Sequence, residues 1–407
     1  MQMGSVIQLI NNGGVSSANG FLAGATYAGI KTAGDDVVDL GILHSELPCT
    51  VAGTFTQNKV ISPSVALTKQ RVVSGLASTV VANSGCANCA VGEQGLVDAQ
   101  EMTALTAVHV GAEVDQTLVA STGVIGVEMP MALVRQNIGK VTLSQDGGNT
   151  FARSIMTTDS HRIETAISVH VDGRAVTIGG CAKGSGMIHP NMATMLAFVT
   201  TDAPVEKKVL QTSLANAVNL SFNMIDVDGD QSTNDTVLVL ANGKAGGPYI
   251  TEGSKGADTF QEGLSYVCTE LAKELARDGE GASTLVEVTV SGAQSIDEAR
   301  VAAREISSSL LVKAMVYGRD PNWGRVMMAL GKSGADFKEA SVDVYINGIH
   351  IVHQGMSISY LRDSVVSSMN QDEVQIGVRI GEGPGHATAW GCDLTEGYVI
   401  ENSAYTT

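Results

Sequence analysis

The run Ile167-Ser-Val-His-Val-Asp-Gly-Arg-Ala-Val-Thr-Ile178 leaves a chain little choice of conformation. Apolar and polar residues alternate on either side of Asp172-Gly173, a pair that accepts the positive φ angles of a two-residue hairpin turn. Val342-Asp-Val-Tyr-Ile-Asn-Gly-Ile-His-Ile351 repeats the pattern around Asn347-Gly348. Hairpins demand sheets, and sheets need a second layer to cover them. Longer amphipathic stretches supply it. Gln94–Val110 predicts a helix with Leu96, Ala99, Met102, Leu105 and Val108 toward one face. Gly263–Asp278 and Ile296–Val312 predict two more, the latter carrying Ala299, Ala302, Ala303, Ile306 and Leu310. Thr50–Thr56, Ser78–Ala82 and Thr117–Ser121 read as further strands, and Met195–Thr200 as a buried one. Asp202 is placed to cap a helix that has Pro204 in its first turn and runs to Ala217. Strands alternating with helices make a mixed α/β protein.

A chain of 407 residues can bury a large core, and its length alone allows two or three domains. No repeat, low-complexity linker or charge run divides it. With 46 Gly and only 4% aromatic residues, the core has to be built from Val, Ile, Leu and Ala on closely approaching backbones. The formal charge of −17 comes without a Lys/Arg cluster, so nucleic acid and anionic membrane surfaces are poor partners. Met1–Gln8 lacks the basic and apolar regions of a signal peptide and the Arg-rich pattern of a transit peptide. No apolar run approaches the length of a membrane span. Cys49, Cys86, Cys89, Cys181, Cys268 and Cys392 are too sparse for a disulfide framework. The expectation is a protein of a reducing cytoplasm.

Almost mid-chain stands Lys183-Gly-Ser-Gly-Met-Ile-His-Pro-Asn-Met-Ala-Thr194-Met-Leu. A Thr inside a chain is a weak nucleophile, because its hydroxyl does not ionise near neutral pH. One chemical solution is to cut the chain just before it, so that the freed α-amine becomes the base. The glycines upstream and the apolar Met195-Leu196 after it suit a tight turn feeding a buried strand. A lone Thr there would ordinarily just begin a strand; the whole string says more.

That string resembles the self-cleavage site of the ornithine acetyltransferases, the glutamate N-acetyltransferases of arginine biosynthesis. Five further blocks follow the same family in order: Ser121-Thr-Gly-Val-Ile-Gly126, Asp226-Val-Asp-Gly-Asp-Gln-Ser-Thr-Asn-Asp235, Gly318-Arg-Asp-Pro-Asn-Trp-Gly-Arg325, Ala389-Trp-Gly-Cys-Asp-Leu-Thr395 and Asn402-Ser-Ala-Tyr-Thr-Thr407. The resemblance runs from about residue 15 to the last residue. It implies a layered helix–sheet sandwich of the aminopeptidase/ornithine-acetyltransferase type, self-cleaved between Ala193 and Thr194. Residues 1–193 would form an α chain and 194–407 a β chain, associated as α₂β₂. It also implies acetyl transfer from N²-acetyl-L-ornithine to L-glutamate through an acetyl ester on Thr194, with no metal or prosthetic group. A bifunctional member would take acetyl from acetyl-CoA as well; the sequence leaves one donor or two open.

Carried over position by position, the resemblance makes Thr122 and Gly123 the oxyanion hole. Thr122 would donate from its hydroxyl or its backbone N–H, and Gly123 from its N–H. Thr157, Lys183, Glu280, Asn402 and Thr407 match the substrate-binding positions together with Thr194. Lys183 would hold an α-carboxylate and Glu280 an amino group; Thr157 is chosen over its neighbour Thr158 by its spacing to Lys183. An amidase or aminopeptidase using the same N-terminal nucleophile is the rival enzyme, differing in that water takes the acyl group. An uncut binding protein for acidic amino acids is the rival outside catalysis. Other motifs fall short. Asp226-x-Asp228-x-Asp230 lacks the Gly and Glu of a calcium loop, having Gln231 and Val237 there. Gly331-Lys332-Ser333 lacks a phosphate loop's first Gly, having Val326. Cys86-Ala-Asn-Cys89 has metal spacing without a second pair and reads as packed thiols. His189 reads as a support for the turn.

Overall fold

The computed structural model describes residues 7–34, 36–189 and 195–404. Two sheets organise them. In the larger one the spatial order is Gln8–Leu9, Ile163–Val171, Arg174–Lys183, Leu196–Thr201, Thr236–Ala241, Leu40–Phe55, Leu76–Asn83 and Thr117–Ser121, with Phe21–Thr26 added along Leu40–Phe55. The second sheet runs Met356–Ser357, Ile349–His353, Asp343–Ile346, Glu373–Arg379, Leu285–Ala293, Gly385–Cys392 and Ile225–Asp226.

Both hairpins turn where the sequence says. Val171 pairs with Arg174 across Asp172 (φ 49°) and Gly173 (φ 79°), and Ile346 pairs with Ile349 across Asn347 (φ 47°) and Gly348 (φ 76°). Leu196–Thr201 lies at the heart of the larger sheet and is buried along its whole length. It runs antiparallel to Arg174–Lys183 and parallel to Thr236–Ala241, so strands from before and after residue 193 interleave in one sheet. Its side chains alternate between two cores. Ala197 and Val199 face helices Lys207–Leu220 and Lys255–Arg277. Leu196 and Phe198 face the other way, where Phe151 meets Phe198 edge-on at 5.3 Å. Helix Lys255–Arg277 packs on both sheets and joins them. A Cβ at its Gly263 would lie 3.0 Å from the Ile178 side chain, so a glycine there lets helix and sheet approach closely. The result is the layered helix–sheet sandwich expected.

Several local expectations need correction. Helix Gln94–Val110 has the predicted bounds but turns a different face inward: Ala99, Met102, Thr103, Thr106 and Ala107 are buried, while Val108 is 83% exposed. Thr103 and Thr106 give their hydroxyl protons to the helix's own carbonyls at Gln100 and Met102 (2.8 and 2.7 Å), so they count as apolar surface in the core. Asp202 does not cap a helix. It is buried and accepts from Asn19 and from the Thr177 N–H, while Pro204 and Glu206 bond to Ile250 in extended form and delay the helix to Lys207. The predicted helix 296–312 stops at Ser308, Ser309 is extended, and a second helix, Leu310–Tyr317, starts with Leu310 exposed. The strand predicted at Thr50–Thr56 is the end of a longer one, Leu40–Phe55, and the helix expected from Gly263 begins at Lys255 under a Ser254 cap. The six cysteines are free and buried. None of the described helices is long and apolar enough to cross a membrane.

Candidate active site

A cavity of about 150 Å³ opens where the loops after Thr117–Ser121, Arg174–Lys183 and Lys255–Arg277 converge. Thr122, Gly123, Thr157, Lys183, Glu280 and Asn402 all line it, beside Thr158 and Ser232–Asn234. Residues up to 280 positions apart in sequence thus share one space. Ala193, Thr194 and Thr407 lie outside the described residues.

One wall is held by backbone. The Thr122 N–H donates to the Asn83 carbonyl at 3.0 Å, so that amide is already committed and its hydroxyl is the donor left to offer. Gly123 sits at φ 129°, and a Cβ there would lie 2.3 Å from the Gly85 carbonyl carbon. Only glycine satisfies both conditions. Asn234 fixes this wall from behind, its Nδ2 donating to the carbonyls of Ala87 and Ser121 at 2.7 and 2.8 Å.

The other wall is made of side chains. Lys183 ends its strand nearly buried, and its Nζ donates to Thr157 Oγ1 at 2.7 Å. Asp159 organises the loops around it by accepting from the N–H groups of Thr157 (2.7 Å) and Gly184 (2.6 Å), and lies 3.9 Å from Lys183 Nζ. Glu280 accepts from Thr158 Oγ1 at 2.8 Å and from Asn402 Nδ2 at 2.7 Å. Its backbone N–H donates to the Ser185 carbonyl, and Gly186 lies against its carboxylate. The two adjacent threonines divide the work: Thr157 serves Lys183 and Thr158 serves Glu280.

Behind the cavity lies a buried polar array that the sequence showed only as a block. Asp226, fully buried, stands 2.9 Å from His189 Nδ1 and 3.1 Å from Lys313 Nζ. Lys313 also donates to the carbonyls of Asp226 and Cys392. Burial pulls its pKa down, but Cys392 and Asp226 more than offset this and hold it above the ordinary lysine value. Asp228 accepts the N–H groups of Met187, Ile188 and Asp230, and is spent on the turn rather than on a cation. Asp235 accepts the Met195 N–H at 2.9 Å, one residue after Thr194. Burial drives its carboxyl well above the usual range. Asn234, Asp235 and Thr158 were not singled out in the sequence. Their only signal was membership of the blocks, or adjacency to a chosen residue.

Comparison with known proteins shows the family of the chain. The ArgJ family model matches residues 22–407. The arginine biosynthesis bifunctional protein ArgJ of Dehalococcoides mccartyi is 45% identical over 405 residues, covering 100% of both chains. That of Symbiobacterium thermophilum is 48% identical over 397 residues, 97% of this chain and 99% of its own. The chain belongs to the ArgJ family. Membership makes it an acyltransferase of arginine biosynthesis. The crystal structure of the Bacillus halodurans ArgJ protein is similar too, at 41% identity and a TM-score of 0.50, and the match covers 51% of this chain and 98% of that one.

Proposed function

We propose that this ArgJ-family chain cuts itself between Ala193 and Thr194 and then carries acetyl groups from N²-acetyl-L-ornithine to L-glutamate on Thr194. In the cut, Thr194 Oγ attacks the Ala193 carbonyl, the C–N bond breaks to free the Thr194 α-amine, and water hydrolyses the resulting ester to leave the Ala193 carboxylate. In turnover the same oxygen takes the acetyl group while the α-amine accepts its proton. Ornithine leaves, glutamate enters, and its amine attacks the acetyl ester. The Thr122 hydroxyl and the Gly123 N–H stabilise the oxyanion of each tetrahedral intermediate.

The observation that carries the reading is the charge pair of the cavity. Among the described residues its only charged lining residues are Lys183 and Glu280, one cation and one anion. An α-amino acid with a free carboxylate and an amine fits that pair, and about 150 Å³ suits a small substrate. Lys183 holds the α-carboxylate, Glu280 the amino group, with Thr157 and Asn402 fixing the two charges. The family resemblance adds Thr407 to the substrate-binding set. The half-length of the Bacillus halodurans chain matched here supports cleavage. The word bifunctional in the relatives' names supports acetyl-CoA as a second donor. The fragments associate as α₂β₂ in the cytoplasm, where six free thiols are at home.

Intact mass before and after brief incubation with N-acetylornithine alone tests the reading. Two fragments, the larger beginning at Thr194 and gaining one acetyl group, are expected. A single uncut chain in active protein overturns the terminal amine as base. Glutamate, not water, must then clear the acetyl group; release as acetate at the same rate without glutamate favours the amidase instead. Assay with acetyl-CoA as sole donor decides the bifunctional version, which fails if no N-acetylglutamate forms.

A further inference from the structure

The second sheet carries a cluster that acetyl transfer does not use. Asp343 lies on strand Asp343–Ile346, and His350 and His353 lie on its hairpin partner Ile349–His353. Two residues three apart on a regular strand point to opposite faces. Here they do not. Tyr345 pairs with His350 but Val344 pairs with Val352, so Ile351 is an extra residue, a β-bulge. Ile351 and Val352 are both turned into the core, and His350 and His353 consequently share the outer face. Asp343 stands one step beyond the Val344–Val352 pair, opposite His353.

The bulge therefore gathers one carboxylate and two imidazoles, with a ligand atom from each within 4.8 Å of the others. Asp343 Oδ1 is 2.8 Å from His353 Nδ1 and 3.7 Å from His350 Nε2. The ring of His350 is fixed by stacking on Tyr345 at 4.4 Å and 17°, and His353 meets it edge-on at 5.5 Å. The Gln354 N–H donates to the same Asp343 oxygen and orients the carboxylate. His350 Nε2 is shielded from solvent and has no hydrogen-bond partner among the described residues. A shielded nitrogen aimed at a carboxylate and a second imidazole is a group awaiting a ligand. The cation across the sheet from Asp343 is Arg379, and it is occupied by Glu382 and the Gly381 carbonyl.

We propose that Asp343, His350 and His353 form a binding site for a divalent late first-row transition ion, represented by Zn²⁺. Two imidazole nitrogens and one carboxylate oxygen are a zinc-type donor set and a poor one for Mg²⁺ or Ca²⁺, which take oxygen ligands. Three protein ligands leave further coordination positions to water or to another molecule. The site lies toward the far side of its sheet from Ile225–Asp226, the strand behind the acetyl-transfer cavity, and is independent of that reaction.

Equilibrium dialysis of the chelator-stripped full chain against Zn²⁺, with metal measured by mass spectrometry, tests it. The wild type should retain zinc that H350Q, H353Q and D343N each lose or bind at least about tenfold more weakly. H161Q, which alters another surface histidine flanked by Glu274 and Asp278, should bind as wild type does. Zinc should raise the Tm of the wild type and not that of the H350Q/H353Q double variant. Equal zinc uptake by wild type and double variant overturns the site, as does displacement of the zinc by excess Mg²⁺ or wild-type protein that retains none.

Discussion

The two walls of the candidate active-site cavity are built by opposite means. The wall with Thr122 and Gly123 is backbone held by backbone, stapled by the Asn234 carboxamide. The wall with Lys183 and Glu280 is side chain held by side chain, through Thr157, Thr158 and Asn402. In the proposed mechanism the first recognises a developing oxyanion, which every acyl transfer shares. In the same proposal the second recognises whichever amino acid brings or takes the acyl group. Rigidity is placed where the chemistry is invariant, and adaptable donors are placed where identity matters.

Gly123→Ala should do most damage. The new Cβ would collide with Gly85 backbone, and an L-residue resists φ 129°, so the oxyanion wall must move. We expect kcat to fall on the order of 10²–10³-fold with KM little changed. Steady-state kinetics would break the comparison if KM rose instead. Lys183→Met attacks the other wall: KM for the amino-acid substrates should rise about 10–100-fold, about 1.4–2.8 kcal/mol, with a smaller fall in kcat. Asn402→Ala removes one donor to Glu280 at an exposed position and should raise KM only about fivefold, about 1 kcal/mol, without moving Tm. The smallest effect is on pH dependence. Burial raises the folded pKa of Asp235, so the folded chain binds that proton more tightly than the unfolded one. Its contribution to stability is full below the unfolded Asp pKa and is lost as pH rises toward the folded value. Asp235→Asn should flatten that stretch of the stability–pH curve in denaturant melts; an unchanged slope would show that Asp235 does not titrate there.

What the sequence made legible was what is local. Asp172-Gly173 and Asn347-Gly348 dictate their hairpins because two residues carry the whole requirement for positive φ. The inward face of helix Gln94–Val110 was misjudged because Thr103 and Thr106 satisfy their own hydroxyls, which a polar/apolar pattern cannot register. Asp202 has the chemistry of a cap but is claimed by Asn19 and Thr177, partners that only the folded sheet brings near. The site divides the same way. The family resemblance pointed to Lys183, Glu280 and Asn402, and the fold gathers them into one cavity. The role of Asp159 under Lys183, and the reach of Lys313 to Asp226 across 87 positions, belong to tertiary structure and left no mark in spacing.

The interleaving of Leu196–Thr201 between Arg174–Lys183 and Thr236–Ala241 has a consequence for assembly. The proposed break before Thr194 would fall at the edge of a six-residue ladder in mid-sheet: the second sheet lies wholly after it, but the larger sheet and the cores on its two faces would be divided between the pieces. The pieces are complements rather than domains. Separated, each would expose an unpaired strand edge and half of an apolar interior, the surfaces from which aggregation starts. Continuity of a chain cut there would thus be needed only once, to bring the strands into register. After such a cut the two ladders that cross it, Leu196–Thr201 on Arg174–Lys183 and Thr236–Ala241 on Leu40–Phe55, and the cores beneath them would hold the halves together, and the protein could be reassembled from separated pieces only as well as two chains can find that register by themselves.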